Sequence, residues 1–224
     1  MRIVTTLEAS ASVQLVCLAW IMSSGFIHVT QVVGIRGSGQ DRAGVQEVGD
    51  SVVVALADGA GGTGGGSKAA QAVVDAVSAA ASQEPAWPSL LAELDRDAVR
   101  LGGGQTTAII LSVTCIGIVG AAVGDSGAWV IRDSCVEDLT AGQLRKPLLG
   151  AGCVPSVVRG RALAGGTLLV ASDGLIKYAT QASIARIASG PDLAFAARSL
   201  VDLVRLRSGE LQDDVSIVLC REAA

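Results

Sequence analysis

The apolar positions of the chain fall into short unbroken runs. Val52 to Ala57, Gln105 to Val113, Ile116 to Val123, Ala128 to Ile131, Thr167 to Ala171 and Val215 to Leu219 are such runs, separated by stretches rich in glycine, serine and aspartate. Runs of this length, β-branched and aliphatic, predict buried strands. Phe26 to Val33 suits a further strand, and Gly34 to Asp41 a glycine-rich turn. Elsewhere the period becomes helical. Ser67 to Ser82 puts Ala70, Val73, Val74, Val77 and Ala81 on one stripe, with Ser67 as its cap. Pro85 and Pro88 break that helix, and a second is predicted over Leu90 to Leu101, stopped by Gly102, Gly103 and Gly104. Gln181 to Ser189 and Asp192 to Arg207 are also predicted helical, and Ala141 to Gly166 irregular. The order is strands, two helices, strands, two helices, strand. It departs from the strict alternation of a doubly wound parallel sheet, and three consecutive strands suit an antiparallel meander.

Length and composition narrow this pattern. A chain of 224 residues that is 50% apolar is large enough for a core and too apolar to be disordered. We expect one folded domain over residues 28–224, preceded by an apolar extension over residues 1–27. Ala11 to Ile27 reaches only the lower limit of a membrane span, is interrupted by Ser12, Gln14, Ser23, Ser24 and Gly25, and has Arg2 as its one preceding cation. A buried extension, an interface segment or a start placed too far upstream fits better than insertion or secretion. The formal charge of −4 and only six aromatic residues exclude a basic or base-stacking nucleic-acid surface. Five cysteines without Cys-x-x-Cys spacing predict buried reduced thiols in a cytoplasmic protein. With His28 as the one histidine, a Ser-His-Asp triad has little to draw on, and any metal must be held by oxygen, as magnesium or manganese would be.

The candidate chemistry lies in carboxylates at strand ends. Asp58 and Asp173 each follow a predicted strand and precede a glycine, and Asp213 stands just before one. A single Asp-Gly is most often a turn. Three carboxylates brought together would repel one another unless divalent cations neutralised them. Two such cations about 3.5–4 Å apart can share a carboxylate and acidify a water for in-line attack on a phosphate ester. Gly59-Ala60-Gly61-Gly62-Thr63-Gly64 also fits the dinucleotide fingerprint Gly-x-Gly-x-x-Gly. That fingerprint needs a second parallel strand ending in an acid about 20 residues on, where this chain is helical. No Gly-Lys-[Ser/Thr] follows the glycines, which excludes a P-loop.

From Val29 to Cys220 the chain resembles the metal-dependent type-2C (PPM) Ser/Thr protein phosphatases, compact bacterial type. The resemblance rests on six pieces in the family's order: Arg36 five residues before Asp41, Ala57-Asp58-Gly59-Ala60-Gly61-Gly62, Gly104-Gln105-Thr106-Thr107-Ala108, Gly124-Asp125-Ser126-Gly127, Leu168 to Leu175 with Ser172-Asp173-Gly174, and Gln212-Asp213-Asp214-Val215-Ser216. It implies a sandwich of two stacked, mainly antiparallel β-sheets flanked by α-helices, four layers αββα. It further implies hydrolysis of phosphoserine and phosphothreonine on proteins by a metal-activated bridging water. The cofactors would be two divalent ions, manganese or magnesium, with a third held more weakly.

The site residues the resemblance implies are these. Asp58 bridges two metals, and the Gly59 carbonyl binds one. Asp173 and Asp213 complete the first metal site. Asp41 acts through metal-bound water, and Asp125 helps hold the third metal. Arg36 clamps the substrate phosphate; read without the resemblance, it would be a solvated loop arginine. The partners implied are a phosphoprotein substrate and an opposing Ser/Thr kinase, with a monomeric bacterial enzyme acting in cytoplasmic signal transduction. Departures are Ala60, where some relatives carry a histidine proposed as general acid; Gly127 in place of an arginine; Gln40 for a glutamate; Asp214 for an asparagine; and a short Thr140–Gly166 region where the family has a substrate-gripping flap. The alternative is an inactive phosphatase-like regulatory module that binds phosphoproteins.

Overall fold

The computed structural model describes residues 2–9, 13–21, 27–34, 39–61, 64–83, 85–97, 99–133 and 135–222; for residues 2–34 it describes the backbone alone. By contact density the chain divides into two units. One comprises Gln40–Ser126 and Leu139–Ala162, the other Met1–Gly39, Gly127–Asp138 and Leu163–Ala224.

The first unit to position carboxylates holds β4 (Arg42–Val48), β5 (Ser51–Ala57), β6 (Ala108–Thr114), β7 (Gly117–Val123) and β10 (Ser156–Arg161). They form a five-stranded antiparallel sheet in the order β10-β7-β6-β5-β4. Helices α1 (Gly66–Ala80) and α2 (Trp87–Arg96) cover one face. The core there joins Val53 and Ala55 of β5 and Ile110 of β6 to Val73 and Val77 of α1 and Leu91 and Leu94 of α2. Each such side chain removed from water contributes about 1.5–3 kcal/mol. Val52 to Ala57 are all buried, the condition under which a strand loses its alternation and reads as a continuous apolar run.

Three expected boundaries move. Helix α1 starts at Gly66, with Gly65 in a left-handed conformation (φ 76°) as N-cap, and no side chain caps it. Ser67 Oγ instead accepts a hydrogen bond from Arg42 Nη2 at 2.7 Å. Val74 is half-buried rather than in the stripe's core and packs on Gly44 of β4, where a Cβ would come within 2.9 Å of it. Helix α2 begins at Trp87 and ends at Arg96, because Pro88 suits a first helical turn and opens the helix instead of preceding it. Strand β4 lies in a stretch to which the sequence pattern assigned no element, and β10 within the stretch expected to be irregular.

The other unit holds β1 (Arg2–Ala9), β2 (Val13–Ile21), β3 (Ile27–Gly34), β8 (Gly127–Arg132), β9 (Cys135–Asp138), β11 (Thr167–Ala171) and β12 (Val215–Glu222). They form an antiparallel sheet ordered β1-β2-β3-β12-β11-β8-β9. Within the apolar N-terminal stretch β1 and β2 are strands, paired antiparallel with each other, and β2 pairs with β3. No helix among the described residues is long and apolar enough to cross a membrane. Helices α3 (Asp173–Ile176), α4 (Gln181–Ala188) and α5 (Leu193–Leu203) complete this unit. Leu169, Ile217 and Leu219 of the sheet pack on Ile184, Leu200 and Val201 of α4 and α5. Thr180 and Asp192 cap α4 and α5, accepting from Ser183 N at 3.2 Å and Phe195 N at 2.9 Å.

Candidate active site

In the five-stranded sheet the registers bring three of the expected acids to one end. Arg42 pairs with Ala57, so Asp41 and Asp58 stand next to each other where β4 begins and β5 ends. Ala108 pairs with Val123, so Thr106 and Thr107 at the head of β6 lie beside Gly124 and Asp125 at the foot of β7. Asp41 is 2% exposed, whereas Asp58 and Asp125 are half-buried.

The main chain at Asp58 is held from two neighbouring residues. Its carbonyl accepts from Thr107 N at 2.8 Å and from Thr106 Oγ1 at 2.9 Å, and its amide donates to Thr107 Oγ1 at 3.0 Å. Thr107 Oγ1 also bonds Ser126 Oγ at 2.8 Å, in the turn that carries Asp125. These bonds fix the main chain from which the Asp58 carboxylate projects. Gly59 bridges to Thr106, and a Cβ there would meet the Gly66 backbone at 2.5 Å. Only glycine lets the two main chains approach so closely. Ala60 donates its amide to Gln105 O at 2.8 Å and brings no proton donor of its own.

Asp173 and Asp213 belong to the other unit, on adjacent strands. Ala171 pairs with Ile217, and two bonds extend the pairing: Ser172 N donates to Ser216 O at 3.0 Å, and Ser216 N donates to Ser172 Oγ at 2.9 Å. Asp173 thus opens α3 beside the residues that lead into β12. A Cβ on Gly174 would land on the Asp214 carbonyl oxygen, so the two segments touch through main chain. Asp213 is exposed, and its Oδ1 accepts from Asp214 N at 3.0 Å. Asp214 is itself buried. The exposed Lys177 ammonium has its pKa raised by Tyr178 first, then by Asp173 and, more weakly, by Asp213. One lysine thus feels both carboxylates.

Among the described residues no three His, Cys, Asp or Glu side chains gather into a metal-holding group. Arg36 lies outside the described residues. Residues the sequence reading had given no role are Thr106, Thr107 and Ser126, whose signal was their place within two of the motifs. Asp95 of α2 is another: its Oδ1 accepts from Gly150 N at 2.7 Å and Gly152 N at 3.2 Å. The Leu149 before that turn exchanges two backbone bonds with Thr106, at 3.0 and 3.1 Å. A lone aspartate in a helix gave no signal for this.

No protein-family model matches the chain. Among curated proteins it is 28% identical over 209 residues to the serine/threonine protein phosphatase PstP of Mycobacterium tuberculosis, a match over 75% of this chain and 40% of that protein. The chain therefore spans less than half the length of that relative. Among solved structures, a serine/threonine phosphatase of S. agalactiae superimposes with a TM-score of 0.75 at 22% identity, over 87% of this chain and 99% of the other. The catalytic domain of PstP in complex with two manganese ions superimposes with a TM-score of 0.72 at 21% identity, over 89% and 99%. The chain has the type-2C phosphatase fold. Within the type-2C fold its two antiparallel sheets and their helices agree with the expected class, and its motif-bearing strand ends carry the acids described above. The thiols depart from expectation: Cys115 and Cys135 are exposed and Cys153 half-buried, with Cys220 fully buried and none of the four in a disulfide.

Proposed function

We propose that the chain is a metal-dependent protein Ser/Thr phosphatase that hydrolyses phosphoserine and phosphothreonine on proteins. The observation that carries the reading is that Asp41 and Asp58, on the adjacent strands β4 and β5, and Asp125, past β6 at the foot of β7, lie at one end of one sheet, with the Asp58 main chain fixed by Thr106 and Thr107 at the head of β6. Asp173 and Asp213 make a second pair on adjacent strands. The donors fit hard divalent cations such as manganese or magnesium, because all are carboxylate or carbonyl oxygens. The proposed ligands are Asp58, the Gly59 carbonyl, Asp173 and Asp213, with Asp41 acting through water and Asp125 serving a third ion.

When bound, two such cations supply neutralisation of the carboxylates and an acidified water as nucleophile. The chain's own part is positional. The Asp58 main chain is held by Thr106 and Thr107, so its carboxylate projects from a fixed backbone position. Arg36 would grip the phosphate through its planar fork. Ala60 supplies no proton to the leaving alkoxide, which leaves water as the donor. The same reading places the protein in the cytoplasm of a bacterium as a monomer opposing a Ser/Thr kinase. The free thiols support a reducing setting.

The test is hydrolysis of para-nitrophenyl phosphate and of a phosphothreonine peptide with manganese, with and without chelator. Activity should require the metal. Asp58→Asn should fall by more than about 100-fold while its circular dichroism stays that of the parent. Arg36→Ala should act mainly on KM for the peptide. Metal-independent turnover, or none in folded protein, would defeat the reading and favour a non-catalytic module.

A further inference from the structure

The end of the five-stranded sheet opposite the carboxylates carries a second feature. Ser51 and Thr114 mark that end, seven residues of β5 away from Asp58, or roughly 23 Å at about 3.3 Å per residue. There the helix-covered face of the sheet is left open as a groove of about 540 Å³. Its floor is β6, β7 and β10, and its wall is the proline-rich entry to α2, with Pro85, Trp87 and Pro88. Trp87 is held in place, its Nε1 donating to Ser112 Oγ at 2.8 Å. The floor keeps two large aliphatic residues in solvent, Val119 at 49% and Val157 at 59% exposure.

Strand β10 bounds the groove and is the edge of its sheet. It pairs with β7 on one side, and among the described residues no strand pairs with it on the other. Val157, Arg159 and Arg161 alternate along it and share one exposed face, opposite Ala121, Val119 and Gly117 of β7. Because Val119 and Arg159 both line the groove, that shared face is the groove's own. No acidic residue lines it. In a chain of net charge −4, two arginines side by side on an apolar floor form a local field of opposite sign. Charges on an edge strand also guard against edge-to-edge aggregation. That role alone would not call for the adjoining floor of exposed valines and the fixed tryptophan.

We propose that this groove docks an extended acidic segment of a protein partner, which adds to β10 as a sixth strand. Main-chain bonds to the free edge would supply affinity, as in other strand additions. Two acidic side chains would face Arg159 and Arg161, and an apolar side chain in the same alternating set would cover Val157. The site is remote from the carboxylate row, so a docked partner leaves that row accessible. The inference does not need the phosphatase reading, and its test measures binding, not hydrolysis.

The probe is a fluorescein-labelled nine-residue peptide with a central phenylalanine flanked on each side by two glutamates alternating with threonines. Its symmetry suits either strand direction. Its counterpart carries lysine for glutamate. Fluorescence anisotropy with the full chain should give micromolar binding of the first peptide that weakens with added salt, and at least tenfold weaker binding of the second. The double variant Arg159→Glu with Arg161→Glu should lose at least tenfold toward the first peptide and gain toward the second. Val119→Ala, which removes apolar floor beside Arg159 without changing the charge of the face, should weaken both. Hydrogen exchange of the complex should slow in residues 156–161. Equal binding of both peptides, no binding of either, or no response to the charge reversal in protein of unchanged circular dichroism would overturn the proposal. So would slowed exchange over residues 156–161 that grows with protein concentration in the absence of peptide, which would make a second copy of the chain the occupant.

Discussion

Thr107 Oγ1 serves two neighbours at once, accepting from the Asp58 amide and bonding Ser126 Oγ, and it is buried while doing so. Thr107→Val keeps the shape and β-branching but strands both partners. An unsatisfied buried polar group costs about 1–3 kcal/mol, and for a protein of this size about 1 kcal/mol moves Tm by 2–4 °C. We expect a Tm lower by roughly 5 °C, with a larger loss of manganese-dependent activity than Thr114→Val, which removes a hydroxyl at the far end of the same strand; calorimetry and the phosphatase assay decide it. Cys220 offers a second test at this scale. Its thiol is fully buried and pushed up to about 12 from an ordinary value of 9.0 by burial. The folded protein therefore holds the proton that the unfolded chain gives up first. The stabilisation is complete below pH 9 and is lost between pH 9 and 12, at no more than about 1.4 kcal/mol per pH unit. The urea midpoint should fall more steeply from pH 8 to 10.5 in the parent than in Cys220→Ala. Cys153, also raised to about 12 by partial burial and then by Asp95, contributes in the same window to both proteins.

Elements were legible in the sequence in proportion to their burial. β5, β6 and β11 show as apolar runs because both of their faces are covered, and the hydrophobic requirement then leaves no alternation. β4, β9 and β10 are edge strands, half or fully exposed at most positions, so glycine, arginine and glutamate are tolerated and the pattern fades. The helix starts moved for a related reason: a serine near a helix start is a capping signal only if nothing else claims it, and Arg42 claims Ser67. The Asp95 clamp was invisible because its partners are backbone amides 55 and 57 residues away. Asp95→Ala should release Gly150 and Gly152, loosen the Leu149–Thr106 pairing and lower Tm by several degrees. Hydrogen exchange should quicken over residues 148–153 and at Thr106, whereas α5 in the other unit should be unaffected.

At the scale of the molecule the proposed metal dependence has a consequence for stability. Like charges on adjacent strand ends repel, and in each unit the acids sit where main-chain bonds hold the strands in register. A cation bound only by the folded chain stabilises it by RT ln(1 + [L]/Kd), about 2.7 kcal/mol at a hundredfold excess over Kd. For about 200 residues that is a rise in Tm of roughly 5–10 °C. Manganese should produce such a rise and chelator should abolish it. Asp58→Asn and Asp173→Asn should each abolish most of it, because each removes a proposed ligand. The rise should also vanish as pH falls toward 4, where protons compete for the carboxylates. If Asp58→Asn removes the manganese response and Asp173→Asn leaves it whole, Asp173 is not a metal ligand; if both leave it whole, the proposed ligand set is wrong.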